Sequence, residues 1–84
     1  MAYHNSDFDL AISDFDLAIA DFSQLIKLDP DDSNYFYFYL RGVAYFDKGE
    51  YDRAIQDFDQ ALKLDPTNTT VINARAQAIA KKNK

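Results

Sequence analysis

Eighty-four residues with no cysteine and one histidine, His4, exclude a disulfide framework and any zinc site built from cysteine, with or without histidine. A chain this short buries only roughly 60% of the surface its unfolded form exposes, so extra stability must come from close packing or association. The net charge of −5 argues against nucleic acid as a main partner, because phosphate binding needs a basic surface.

The charge is unevenly spread. Residues 1–34 hold eight acids and one base, residues 35–66 six acids and four bases, and residues 67–84 four bases and no acid. The plain reading is solvated faces plus a basic tail suited to a helix C-terminus; the sharper one is head-to-tail attraction between copies. No apolar run approaches the roughly 20 residues of a membrane span. The opening residues also lack the basic and apolar regions of a signal peptide, so no membrane association and a cytoplasmic location are expected.

Met1–Asn5 has little to hold it and is expected to fray. Residues 6–12 read SDFDLAI, and residues 13–19 repeat that heptad without a change. Phe8, Phe15 and Phe22 recur every seven residues, as do Ile12, Ile19 and Ile26. Seven residues fall only about 20° short of two full helical turns, so these side chains share one face. Ser13 and Asp14 could cap a new helix, as Ser6 and Asp7 could cap the first. Against that, neither glycine nor proline interrupts residues 6–28, which predicts one continuous helix there.

The connector DPDDSN, residues 29–34, is acidic, but a calcium loop starting at its first residue needs glycine where Asn34 stands and glutamate where Leu40 stands. Residues 35–39, YFYFY, favour a strand on local propensity alone. The helical pattern that begins at Leu40 overrides this, and a helix is predicted over 33–47.

Residues 40–66 organise the chain. Small Gly42 and Ala44 alternate with Val43, Tyr45 and Phe46, and Gly49 suits a left-handed helix stop. Tyr51, Ala54, Ile55, Phe58, Ala61, Leu62 and Leu64 then form an apolar stripe on a helical period, over a second helix at 50–64 that Pro66 ends. Gly42, Ala54 and Ala61 let two antiparallel axes approach, while Tyr45 and Phe58 fill the space beside them. Phe15, Ala18, Ile19, Phe22, Ile26, Leu28 and Pro30 repeat the second stripe in the first helix, with Leu25 standing where the central copy has Ala61.

Gly42, Tyr45, Gly49, Tyr51, Ala54, Phe58, Ala61 and Pro66 together resemble the tetratricopeptide repeat, a helix-turn-helix unit of about 34 residues. The resemblance implies an all-α solenoid fragment of about one and a half repeats forming a single domain over 1–84. It further implies a non-catalytic module that binds a peptide, a helix or another copy of itself, with no cofactor. In the family the first helix of each repeat lines the concave face, here presenting Phe36, Tyr39, Val43 and Phe46. Those side chains either pack against neighbouring helices or leave an exposed apolar groove. Members that grip acidic chaperone tails use lysine and asparagine on that face, where this chain has Tyr39 and Val43.

After Pro66, Val71, Ile72, Ala76 and Ile79 make a further helical stripe over 68–82, with Asn68 as N-cap and Arg75 parallel to Arg41. It resembles the first helix of a following repeat and is expected to act as a cap. The sequon at Asn68–Thr70 is discounted because no secretory signal accompanies it.

Catalytic chemistry finds no footing in this sequence. The only histidine lies in the loose opening residues, no thiol exists, and pairs such as Asp7 with Asp9 or Asp57 with Asp59 stand two apart and diverge on a helix. A first helix of about 23 residues against partners of about 15 should overhang them by about two turns, at 1.5 Å per residue. Phe8, Ala11 and Ile12 on that overhang, on the face that continues to Phe15, are expected to form a homodimer about a two-fold axis, since Phe8 and Ile12 buried together supply several kcal/mol. The unchanged heptad copy marks either recent duplication or engineering, so a self-associating scaffold with no natural ligand is the alternative reading.

Overall fold

In the computed structural model the backbone is described for residues 2–28 and 34–84, with side chains from residue 14 onward. Four helices follow in chain order: α1 Ala2–Leu28, α2 Tyr35–Lys48, α3 Tyr51–Leu64 and α4 Thr69–Lys82. Among the described residues there is no strand, so the all-α, antiparallel helix-turn-helix reading holds. Each helix packs on its chain neighbours, and α2 and α4 meet along a narrower seam.

Two sequence expectations need correction. The helix begins at Ala2 rather than near Ser6. Nothing in the opening residues breaks a helix, and extending one already nucleated costs far less than starting one. Secondly, α2 starts at Tyr35, because Asn34 caps it: the Asn34 side chain accepts a hydrogen bond from the Phe36 N–H at 2.9 Å. The helix also runs through Ser13 without a break. Residues 29–33 of the connector lie outside the described residues.

The α2–α3 turn is a Schellman closure. Gly49 adopts φ 91°, its N–H reaches the Phe46 carbonyl at 3.0 Å, and the Glu50 N–H reaches that of Tyr45 at 2.9 Å. At the start of α4 the Asn68 side chain accepts from the Val71 N–H at 3.1 Å.

The core sits where α3 meets α2 and α4. Ala54, Phe58 and Ala61 of α3 are fully buried with Val71 and Ala78 of α4. Phe58 lies directly over Gly42, where an added Cβ would stand 2.6 Å from its ring. That distance is far inside contact, so the glycine sets how closely α2 and α3 approach. Leucine at Gly42 or at Ala54 is therefore expected to cost about 1 to 3 kcal/mol or more by overpacking. Unchanged unfolding midpoints in both variants would refute this packing.

A buried polar clasp ties three helices together. Arg41 of α2 donates through Nε and Nη2 to the two carboxylate oxygens of Asp57 on α3, at 2.8 and 2.7 Å, and through Nη1 to the Ser23 hydroxyl of α1 at 3.0 Å. Asp57 is only 4% exposed. The fork-to-fork geometry satisfies both oxygens, which is what allows the carboxylate to sit inside. Its hydrogen bonds to Asp57 hold the Arg41 guanidinium above its ordinary range, and burial offsets this only in part.

Candidate protein-binding groove

Phe36, Tyr39, Val43 and Phe46 stand at steps of three, four and three along α2 and so share one side of it. That side faces α4 across the top of Phe58. Tyr39, Val43 and Phe46 line a pocket of 220 Å³ together with Phe58, with Ala74 and Gln77 of α4, and with Asp47. Phe36 and Tyr39 line an adjoining recess of 140 Å³ with Tyr35, Asn68, Thr70 and Val71. Shared Tyr39 makes the two a single shallow furrow between the first helices of successive hairpins.

The four side chains are unequally covered. Tyr39, Val43 and Phe46 are partly buried and pack against the core, whereas Phe36 is 46% exposed. Tyr39, Val43 and Phe46 thus pack inward by one edge and line the furrow by the other. An aromatic ladder fixes their orientation: Phe36 stacks on Tyr39 with ring centroids 6.0 Å apart, and Tyr39 leans on Phe58, also at 6.0 Å. Phe46 meets Tyr51 edge to face at 5.3 Å.

Size and charge limit what the furrow can hold. Pockets for small organic molecules usually enclose about 300 to 1,000 Å³, so these recesses suit individual side chains of a peptide or helix. Neither is lined by lysine or arginine, and Asp47 is the one acid. A larger concavity of 490 Å³ lies beside Gln56, Asp59, Gln60, Leu62 and Lys63, all on one face of α3, so no second helix closes it. Among the described residues no cluster of three or more potential metal ligands occurs, and no helix is long and apolar enough to cross a membrane.

The second predicted surface is only partly visible. Phe8, Ala11 and Ile12 lie outside the residues whose side chains are described, while Phe15 is half-buried on α1. The α4 wall of the furrow went unrecognised in the sequence. Its signal was the spacing of Thr70, Ala74 and Gln77, which share a side of α4 but carry little hydrophobicity. The Arg41 clasp was missed as well; an arginine between Leu40 and Gly42 on a packing helix, with Asp57 inside the α3 stripe, was its only trace.

Residues 35–68, which span α2, α3 and the Asn68 cap of α4, match the family model of the tetratricopeptide repeat. No curated protein matches the chain.

Proposed function

We propose, from the premise that residues 35–68 of this chain are a tetratricopeptide repeat, that the protein is a non-catalytic interaction module acting in the cytoplasm. Its α2–α4 furrow takes apolar side chains from a peptide or helix of a partner protein and needs no cofactor. The observation that carries this reading is the convergence of Tyr39, Val43 and Phe46 with Ala74 and Gln77 over the buried Phe58. A partner with apolar side chains at alternate or helical spacing gains by burying them there, and a cluster of acids on it gains nothing.

Selection of short random peptides on the immobilised protein tests the reading. Peptides enriched on the parent chain are expected to carry paired apolar residues and to lose binding to a Val43→Glu variant. Enrichment that ignores this substitution would move the site elsewhere. A complementary titration with acidic chaperone-tail peptides is expected to show weak binding or none, because no lysine or arginine lines the furrow. Affinity of micromolar or better would contradict it.

The alternative is a self-associating scaffold with no natural ligand. The observation that favours it is the unchanged SDFDLAI copy within α1, a helix of 27 residues beside neighbours of 14.

A further inference from the structure

Helices α1 and α4 each copy one half of the central repeat, and the two halves are complementary. The second half of α1 copies α3 at an offset of 36 residues, so that Asp21, Phe22 and Leu25 take the places of Asp57, Phe58 and Ala61. Likewise α4 copies α2 at an offset of 34, so that Ile72, Arg75, Ala76 and Ile79 take the places of Phe38, Arg41, Gly42 and Tyr45. In the central repeat these positions face one another across α2 and α3. At the two ends several of them lie open: Leu25 is 40% exposed and Ile72 43%, and Asp21 and Ala76 are exposed as well.

We propose that α4 of one copy pairs with α1 of the next, completing a repeat between two chains and extending the solenoid head to tail. Charge points to a second copy as the occupant. The acidic first 34 residues meet the last 18, which hold four bases and no acid, and opposite fields steer and align such an encounter. The arginine pattern points the same way. Arg41 binds back to Ser23 on the preceding helix and forward to Asp57 on the following one. Arg75 binds back to Asp59 on α3, and among the described residues no second carboxylate pairs with it. Asp21 of a second copy occupies that place. The contact is heterologous, so a pair of copies keeps one unpaired end of each kind and assembly stays open. It uses the ends of the solenoid and is independent of the furrow.

Two residues make this junction looser than the central one. Ala76 brings a Cβ where Gly42 has none, and Leu25 brings bulk where Ala61 has little. Since a Cβ at Gly42 would stand 2.6 Å from Phe58, the junction axes lie farther apart and the association is concentration-dependent.

Sedimentation equilibrium with two blocked variants tests the proposal. The parent chain is expected to rise in average mass from 9.7 kDa past twice that value as concentration increases, and to fall back as salt is added. Ala76→Arg blocks the α4 end and Leu25→Arg the α1 end, so each alone is expected to stay at monomer mass with helicity intact. Mixed in equal amounts they are expected to form a dimer that grows no further, because one good end of each kind remains. An Ala76→Gly, Leu25→Ala chain, which restores the small residues of the central repeat, is expected to assemble at lower concentration than the parent. A parent that stays at 9.7 kDa overturns the proposal, as does a mixture that stays monomeric. So does a plateau at two copies unaffected by either arginine, the mark of the two-fold pairing through Phe8, Ala11, Ile12 and Phe15.

Discussion

Truncating Phe58 to alanine is expected to cost about 3 to 5 kcal/mol of folding stability, the usual range for a fully buried aromatic. Phe58 has no exposed surface. Its ring fills the space above Gly42, supports Tyr39 and forms the floor of the furrow. At roughly 0.05 to 0.15 kcal/mol per residue, a domain of this length holds only about 4 to 13 kcal/mol in all. One truncation therefore removes much of the stability. By contrast, Phe36→Ala, on a side chain that is 46% exposed, is expected to cost about 1 kcal/mol or less. Urea unfolding of the two variants checks the contrast, and equal losses would mean that the core is not centred on Phe58.

Replacing Asp57 with alanine is expected to cost about 2 to 4 kcal/mol, near the range for breaking a buried ion pair. The loss comes from what the substitution leaves behind. Arg41 is held above an already high range and cannot shed its proton, so its guanidinium keeps a charge whose main partner has gone. The figure is placed toward the low end because the Arg41 side chain keeps 21% of its exposure and can turn to water. Replacing both partners with apolar residues, as in Arg41→Met with Asp57→Leu, is expected to recover most of the loss. Recovery would show that the clasp costs nearly as much in desolvation as it returns in hydrogen bonds. If the single Asp57 variant lost less than about 0.5 kcal/mol, the range of an ordinary surface substitution, the clasp would not hold the three helices.

The central hairpin was legible because each of its signals has a short physical range. Gly49 after Lys48 specified the left-handed stop, the α3 stripe specified the buried face, and Gly42 with Ala54 specified the close approach. The aromatic run shows where local reading needed help: strand propensity at residues 35–39 lost to the helical pattern downstream and to the Asn34 cap. The start of α1 was misjudged because nothing in residues 2–5 forbids a helix, and sequence marks helix breakers more clearly than it marks helix continuation. Three of the four furrow residues on α2 line its main pocket, since their spacing alone puts them on one side. The opposite wall was not legible, because small and polar residues such as Ala74 and Gln77 earn their place by where α4 lies, and that depends on the packing of Val71 and Ala78 against α3.

On the proposed reading, the α2–α4 furrow is where a partner's apolar side chains are buried. Amide chemical shifts, followed by NMR while an enriched apolar peptide is titrated into the intact chain, test it most directly. The expected result is that the largest shifts cluster at Phe36, Tyr39, Val43 and Phe46 on α2 and at Thr70, Ala74 and Gln77 on α4, and vanish in the Val43→Glu variant. Shifts centred instead on the outer face of α3, around Gln56 and Gln60, would contradict it.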